Sequence, residues 1–290
     1  MRYLLELVYS GVAIGAIYGL MAMAFAMTYR ATGLLNFAQG ELGMLVAYIA
    51  WSISTALGTS SWALVGGALV SSIVLGLTIE RFVMRRMIGQ PVFSGVLVTV
   101  GIGVIITAVV LMIWGGEQRR VEVAHASDII EVGVLRMRAS QIAVIVVLLF
   151  ALAATHVFFR YTRFGIAMRA VAADQRTASL VGISVARMQS VAWATSTVLA
   201  GLAGLFFAVT FELSPTIFTL GLKAFPATVF GGIDAVIGSG ASGILIGVFE
   251  NLVGGYVAPL FKEIAGFLLI LVILMVRPFG LFGEKDIERV

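Results

Sequence analysis

Long apolar runs that carry almost no charge recur along this chain, and they leave few folds open to it. A helix needs about 20 mostly apolar residues to cross the hydrocarbon core of a bilayer. Six such runs are clear and three weaker ones follow, at residues 4–29, 40–57, 62–84, 93–114, 141–159, 188–211, 217–236, 240–257 and 264–276. Lipid offers no partner to open backbone, and a membrane barrel would show short alternating strands. The runs therefore predict an all-α, polytopic membrane helical bundle of about nine spans.

Composition agrees with a location in lipid. Hydrophobic residues make up 60% of the 290 residues and charged residues only 12%, whereas a soluble domain carries about 25% charged residues. The net charge of +4 is modest, and the basic residues lie between the apolar runs instead of forming one stripe. This argues against nucleic acid as a partner and for a role of the charges in orienting the chain in membrane lipid. The absence of cysteine excludes a disulfide framework and a thiolate metal site.

The arginines predict an orientation, because loops rich in arginine tend to remain in the cytoplasm. Arg81, Arg85 and Arg86 follow the third run, and five arginines lie in residues 160–187, between the fifth and sixth runs. Two crossings separate the two sets, so both can be cytoplasmic. Residues 115–139, where acidic and basic side chains balance, then form an extracytoplasmic loop. The prediction is a multi-pass protein of the bacterial plasma (inner) membrane with its N-terminus outside and its C-terminus in the cytoplasm.

Two segments interrupt the helical pattern at membrane depth, residues 32–41 and 226–234, where glycines accompany polar side chains. Paired interruptions in the two halves of a membrane protein are typical of internally repeated transporters, whose unwound backbone lines a water-filled path. They predict pseudo-repeated halves, and the alternative for each segment is a tight turn at the membrane surface. On the first interpretation, one polar cavity holds the side chains of Asn36, Gln39, Glu41, Thr228 and Asp234.

Glu250 lies inside an apolar run, where a charged side chain costs about 2.5–3.5 kcal/mol at the bilayer centre. Charges retained at this cost often mark substrate or ion pathways, so Glu250 is a sixth candidate for the translocation pathway. The alternative is that Glu250 sits near a helix end, or pairs with a neighbour and holds helices together.

Gly11, Gly15 and Gly19 recur every fourth residue in the first apolar run and therefore lie on one helix face. Small residues at this spacing let a second helix backbone approach closely. The pattern predicts a tight helix pair, either inside the chain or between subunits.

Three classes of function fit a polytopic membrane protein: a nucleotide-driven permease, an ion-coupled carrier or channel, and an intramembrane enzyme. A carrier would place ionisable residues deep in several runs, whereas here they are few and lie beside the glycine breaks. An enzyme would need a nucleophile and base or a metal set, which His125 and His156 do not assemble. The chain also lacks the pattern G-x-x-x-x-G-K-[ST], so no cofactor is expected in it and any ATP must be used by partner subunits.

Three stretches carry a resemblance to a known family. Residues 36–44 read Asn-Phe-Ala-Gln-Gly-Glu-Leu-Gly-Met, residues 224–233 read Ala-Phe-Pro-Ala-Thr-Val-Phe-Gly-Gly-Ile, and residues 277–283 read Arg-Pro-Phe-Gly-Leu-Phe-Gly. In this order, and with the glycines and Glu250 that follow the second stretch, the chain resembles the permease subunits of branched-chain amino acid ABC importers along nearly its whole length.

The resemblance implies an importer of five parts: this single permease domain of residues 1–290, a second related permease, two cytoplasmic ATPases and an external solute-binding protein. A hetero-dimer of the two permeases would form the path. Branched-chain or related amino acids are the expected solutes, while amides, urea and small aromatic acids remain open.

The resemblance also implies a coupling helix in the cytoplasmic loop of residues 160–187, which would dock on the ATPase. Alanine, glutamine and arginine favour a helix in this loop, and a glycine can end it. The alternative is a basic helix at the membrane surface, anchored to anionic lipid. The residues expected to couple to the ATPase are Ala172, Ala173, Asp174, Arg176, Leu180, Gly182 and Ile183.

Overall fold

The computed structural model describes residues 2–58, 60–123, 126, 128–132 and 135–283. Helices dominate this part of the chain. Two short strands, β1 (Ile129–Val132) and β2 (Leu135–Arg138), pair antiparallel with Ile129 opposite Arg138. The α-helices in chain order are α1 (Arg2–Thr32), α2 (Gln39–Ala56), α3 (Ser61–Phe82), α4 (Val92–Trp114), α5 (Ala139–Tyr161), α6 (Arg163–Ala173), α7 (Gln175–Leu180), α8 (Val185–Thr210), α9 (Thr219–Gly231), α10 (Val236–Tyr256) and α11 (Pro259–Val276).

Among the described residues, seven helices are long and apolar enough to cross a membrane: α1, α3, α4, α5, α8, α10 and α11. The prediction of an all-α polytopic bundle is thereby confirmed. The other two predicted spans correspond to α2, with 18 residues, and α9, with only 13. The count of nine spans stays a prediction, because it depends on whether α2 and α9 complete two further crossings.

The first helix lies at the centre of the bundle. In the apolar stretch of α1, 67% of the residues are buried inside the protein, against 22% in α4 and 17% in α11. Helices α8, α9 and α10 pack around α1, whereas α4 and α11 present apolar side chains outward. Such an outward face suits lipid or a second membrane subunit.

The glycine face of α1 packs inside the chain, against a matching glycine face of α10. A Cβ atom added to Gly15 would lie only 2.6 Å from the carbonyl oxygen of Gly243, and one added to Gly247 would lie 2.5 Å from the Gly15 Cα atom. The backbones therefore touch, as small residues at helix interfaces in membranes allow. Of the two partners that the sequence left open, the described contact is the internal one.

The bundle has two distinct ends. At one end, a cavity is lined by Arg30 at the end of α1, Arg169 of α6 and Asp234 after α9; this is the arginine-rich end. A smaller cavity there joins the end of α3 and the start of α4 to α7. At the other end, which we call the hairpin end because α5 begins there directly after β2, the Tyr3 hydroxyl of α1 donates to the Gly255 carbonyl of α10 at 3.1 Å. The arginine sets before α2, after α3 and in α6 thus share one end, as the predicted topology requires.

Candidate translocation site

The first interrupted segment, between α1 and α2, lies within the bundle. The Phe37 amide donates to the Thr99 hydroxyl of α4 at 3.1 Å. Thr99 is seven residues after Val92, the first residue of α4, which places this contact about 10 Å along the helix. Asn36 is fully buried, and its side-chain oxygen accepts a hydrogen bond from the Ala38 amide at 3.1 Å. The segment is therefore an unwound stretch among helices and not a turn at the end of the bundle.

Gln39, the first residue of α2, ties that helix to two neighbours. Its side-chain amide donates to the Ala24 carbonyl oxygen of α1 at 3.0 Å and lies within hydrogen-bond distance of the Thr28 and Ser196 hydroxyls. Those two hydroxyls, from α1 and α8, are 2.7 Å apart. Gln39 is fully buried, so it holds the start of α2 in position and does not face a cavity.

The second interrupted segment differs from its prediction. Pro226 lies inside α9, which continues to Gly231, and the break follows at Gly232, where φ is +104°. Thr228 is buried in the helix, with its hydroxyl donating to the Ala224 carbonyl at 3.3 Å. Proline at position 226 cannot donate its own helix hydrogen bond, but the helix persists because its neighbours pack around it. The irregular backbone therefore lies on both sides of a short α9 and not at the proline.

A central cavity of about 740 Å³ lies between α1, α2, α4 and α9. Among its described lining residues, Glu41 of α2 is the only charged one. The carboxylate faces α4, where a Cβ atom added to Gly103 would lie 3.1 Å from the Glu41 Cδ atom. The rest of the lining is apolar except for Thr107. The cavity therefore offers one carboxylate to a solute in mostly apolar surroundings.

A larger cavity of about 950 Å³ opens at the arginine-rich end. Arg30 and Asp234 line it, and an Arg30 guanidinium N–H donates to the Asp234 carbonyl oxygen at 3.2 Å. Arg169 and Asp174 also line it, from the helices that follow α5. Charges of both signs therefore surround this opening.

One face of α9 runs from the central cavity to the cavity at the arginine-rich end. Four residues lie along it at intervals of three or four, a spacing that places side chains on one side of a helix. We call them the α9 stripe: Phe218, Leu222, Phe225 and Val229. Phe225 lines both cavities. Its ring lies 6.2 Å from that of Phe25 and 6.3 Å from that of Phe37. Phe225 therefore stands between the two cavities, with the other two rings beside it in the central cavity.

The five residues predicted to share one polar cavity do not do so, which corrects that expectation. Glu41 and Asp234 line the two cavities along the α9 stripe, and Glu250 lines a third cavity at the hairpin end. Asn36, Gln39 and Thr228 are instead buried in helix packing, where each side chain forms a hydrogen bond with a backbone group close by. Sequence patterns identified the broken segments but could not show which of their side chains turn inward.

The predicted pathway residues did not include the aromatic residues of the α9 stripe. Phe218, Leu222 and Phe225 recur at helical spacing before Pro226, a signal that could have singled them out. The same spacing is typical of ordinary packing residues. Among the described residues, no group of three His, Cys, Asp or Glu side chains is placed to hold a metal ion.

The predicted cytoplasmic loop of residues 160–187 contains two helices, α6 and the short α7, instead of one coupling helix, because the extended backbone of Asp174 separates them. Asp174 begins α7: its carboxylate accepts hydrogen bonds from the Arg176 amide at 2.8 Å and the Thr177 hydroxyl at 2.6 Å. The Thr177 hydroxyl and the backbone amides hold the pKa of the Asp174 carboxyl below its usual range. Ala172 and Ala173 line the cavity at the arginine-rich end.

Helix α7 ends in a Schellman motif. The Gly182 amide donates to the Ser179 carbonyl at 3.1 Å and the Ile183 amide donates to the Ala178 carbonyl at 3.0 Å, with φ of Gly182 at +86°. Ala178 is buried against α8, whereas Leu180 is 86% exposed and Val181 72% exposed. The motif therefore presents two apolar side chains to the outside at the arginine-rich end.

Comparison with known proteins identifies the family. The family model described as the branched-chain amino acid transport system permease component matches residues 7–276. The chain belongs to this family. The family resemblance noted in its sequence motifs is thereby confirmed, and the chain is a multi-pass membrane protein of the permease type.

Relatives match this chain along most or all of its length. The high-affinity branched-chain amino acid transport system permease protein LivH of Escherichia coli strain K12 is 30% identical over 308 positions, which cover 99% of this chain and 98% of the relative. The corresponding permease protein BraD of Pseudomonas aeruginosa is 27% identical, and the match covers 100% of this chain and 98% of the relative. A probable branched-chain amino acid transport permease protein LivH of Methanocaldococcus jannaschii is 25% identical, and the match covers 93% of this chain and 90% of the relative. No solved structure matches the chain significantly.

Proposed function

We propose that this permease is the membrane subunit of an ABC importer and forms part of the translocation path for branched-chain or related amino-acid-like solutes. The observation that carries the proposal is the family match over residues 7–276. The two cavities along the α9 stripe support it, because they adjoin broken segments of the kind that line transporter pathways.

The path in this proposal follows the α9 stripe. A solute meets Glu41 in the central cavity, passes the rings of Phe25, Phe37 and Phe225, and leaves beside Asp234 at the arginine-rich end. The three rings close the passage in the present arrangement, since Phe225 borders both cavities. A second, related permease completes the path. The outward apolar side chains of α4, such as Val100 and Val104, support this partner because they border the central cavity and are exposed in the single chain.

Two cytoplasmic ATPases and an external solute-binding protein complete the proposed importer. Support for the ATPase contact comes from Leu180 and Val181, which are exposed beside a basic segment that contains Arg169 and Arg176. A surface helix anchored to lipid would also use the arginines, but its apolar side chains would cover one long face, whereas α7 has only six residues.

The proposed orientation has the N-terminus outside and the arginine-rich end in the cytoplasm, with α2 and α9 completing nine membrane segments in two related halves. The meeting of α2 and α9 supports it: a Cβ atom added to Gly40 would lie 2.1 Å from the Phe218 carbonyl oxygen. The starts of these two helices therefore touch within the bundle, as paired broken segments do in repeated transporters.

Uptake by the reconstituted importer tests the function. The two permeases and two ATPases are placed in liposomes with ATP on the ATPase side, and radiolabelled leucine is added with its binding protein. We expect uptake that requires both the ATPase subunits and ATP hydrolysis. Uptake driven by an ion gradient in liposomes without the ATPases would instead identify an ion-coupled carrier, and would overturn the proposal.

A further inference from the structure

A third cavity, of about 470 Å³, opens at the hairpin end, away from the α9 stripe. It lies among α1, α8, α9, α10 and α11, and its volume falls within the ~300–1,000 Å³ of small-molecule sites. Charged, polar and apolar side chains line it. The residues that matter for its chemistry are Tyr18, Phe207, Lys223, Glu250, Lys262 and Phe267.

Glu250 is an acidic side chain buried in this cavity, within electrostatic reach of Lys262 and Lys223. It is only 6% exposed, and among the described residues no lysine, arginine or histidine forms an ion pair with it. The Tyr18 hydroxyl is its polar neighbour. Gly266 of α11 leaves room for the carboxylate, since a Cβ atom there would lie 2.6 Å from a Glu250 oxygen. Burying an unpaired carboxylate is costly, so a cationic ligand would be favoured here.

Glu250 bonds to Tyr18 of α1, but the link between α10 and α1 does not depend on Glu250 alone. The residue next to it, Asn251, joins α10 to α1 by donating from its side-chain amide to the Ser10 hydroxyl at 2.7 Å and to the Leu7 carbonyl at 3.3 Å. Asn251 therefore serves as a polar link between these helices. Glu250 also faces the cavity.

Of the two lysines in the cavity, one already forms an ion pair with a glutamate of the protein. The Lys223 ammonium lies 2.8 Å from a carboxylate oxygen of Glu263, which is an ion pair. Lys262 has no ion pair in the described part of the chain, and its aliphatic carbons lie against Gly254. An ammonium group held in this way is available to an anionic ligand.

Apolar side chains form another part of the wall. Ile14 of α1, Phe207 of α8 and Phe267 of α11 line the same cavity as Glu250 and Lys262. Of its three carboxylates, Glu263 is paired with Lys223, and Glu212 lies 3.8 Å from Arg120. The cavity therefore combines the Glu250 carboxylate, the Lys262 ammonium group and an aliphatic and aromatic surface. A simple cation would leave Lys262 unmatched, and a simple anion would leave Glu250 unmatched.

We infer that this cavity is a binding site for a zwitterionic α-amino acid with an apolar side chain. The ligand ammonium group binds Glu250, its carboxylate binds Lys262, and its side chain packs on Phe207 and Phe267. The choice of an amino acid among zwitterions rests on the proposed function. Because the cavity opens at the hairpin end, it receives the solute before the central cavity does.

Ligand analogues test the site without any mutation. The assembled permease and ATPase complex in lipid nanodiscs, without the binding protein, is titrated with three probes and binding is measured by saturation-transfer NMR. L-Leucine has both charges, 4-methylpentanoate lacks the ammonium group, and L-leucine methyl ester lacks the carboxylate. We expect each analogue to bind at least about tenfold more weakly than leucine, because each loses one charge-assisted contact. Equal binding of all three would overturn the inference.

Two substitutions assign the charges. Glu250→Gln should weaken leucine binding at least about tenfold and leave 4-methylpentanoate unchanged, and Lys262→Met should weaken leucine similarly and leave the methyl ester unchanged. Glu117→Gln is the matched control, because it removes the same charge from an exposed position outside the cavity at the same end. It should bind all three probes as the unaltered protein does.

The outcomes separate a binding role from a structural one. If Glu250→Gln weakens all three probes equally, or weakens none, Glu250 does not bind the ammonium group and the inference is wrong. If that variant fails to assemble, the Lys262→Met variant and the analogue series on the unaltered complex still test whether the cavity binds both charges of the ligand. Leucine uptake by the unaltered importer is measured separately: loss of all uptake would contradict the proposed function, whereas normal uptake with an unchanged Glu250→Gln variant would contradict only this site.

Discussion

At the scale of single residues, the polar side chains inside the bundle form two groups: those that hold neighbouring backbone in position by hydrogen bonds, and those that line cavities. Asn36 and Gln39 belong to the first group, since their hydrogen bonds end on neighbouring backbone and hydroxyl groups. Glu41 and Glu250 belong to the second, because each lines a cavity. A buried donor with a partner is worth about 1 kcal/mol net, while an orphaned one costs more. The two groups should therefore respond differently to substitution.

Gln39→Leu should destabilise the protein and leave solute recognition unchanged. It removes the amide that joins α2 to Ala24 and the hydroxyls of Thr28 and Ser196, and we expect a loss of about 1–3 kcal/mol in the free energy of unfolding. Thermal unfolding of the purified complex measures it. Gln90→Leu is the control, because Gln90 is exposed after α3. Equal melting temperatures for the two variants would contradict the assigned role of Gln39.

Gly182→Val should uncouple ATP hydrolysis from transport. The positive φ of Gly182 costs a residue with a side chain about 1–2 kcal/mol, and a β-branched residue resists this conformation most. Nothing lies within 4 Å of a Cβ atom added there, so the effect is purely conformational. Asparagine tolerates the same conformation, which makes Gly182→Asn the matched control.

The assay for Gly182 scores assembly, binding-protein-stimulated ATP hydrolysis and uptake by the complex in lipid. We expect the valine variant to insert and fold while its uptake falls, and the asparagine variant to keep most of its activity. If the valine variant assembles, and its ATP hydrolysis and uptake equal those of the unaltered protein, α7 is a lipid anchor and the coupling role is wrong.

At the scale of helices, much of the architecture follows from the apolar runs, but the short helices do not. The predicted runs at residues 93–114 and 141–159 agree closely with α4 and α5, because an apolar stretch in lipid has to satisfy its backbone as a helix. Pro226 suggested an interruption, yet α9 passes through it and breaks at Gly232. Local sequence indicates where a helix can break, whereas packing decides where it does.

The α9 stripe predicts a pattern of accessibility along one helix. Because the chain has no cysteine, single cysteines can be introduced and labelled without removing native ones. Leu222→Cys and Val229→Cys should react with a small hydrophilic thiol reagent, since both positions line cavities. Ala224→Cys and Ala227→Cys are the matched controls, because both alanines are fully buried.

The reaction rates in the assembled complex decide between a pathway and ordinary packing. Faster labelling at residues 222 and 229 than at 224 and 227, reduced by excess solute, is the expected result. If all four positions react equally, or if the control positions react faster, the stripe does not line the path.

At the scale of the whole molecule, the site depends on contacts that no local pattern contains. Gly103 of α4 leaves room for Glu41 of α2, and Thr99 holds the backbone of the broken segment. The sequence marked the broken segment but contained no signal pairing it with α4. The family motifs identified the fold and the general function, because they extend along the chain, while the separate cavities follow only from how the helices pack.

The topology predicts opposite exposure for the two ends of the bundle, and α2 provides the decisive test. Trp114, at the end of α4, donates from its ring nitrogen to the Ser52 hydroxyl near the end of α2 at 2.8 Å, so both helices end at the hairpin end. If α2 completes a crossing, Ala56→Cys should be labelled by an impermeant maleimide added outside intact cells. Gln90→Cys, between α3 and α4, should be labelled only after permeabilisation. Both positions are exposed. Labelling of both positions from one side would show that α3 does not cross the membrane between them. Labelling of Gln90→Cys from outside and of Ala56→Cys only after permeabilisation would invert the proposed orientation, but would still mean that α3 crosses.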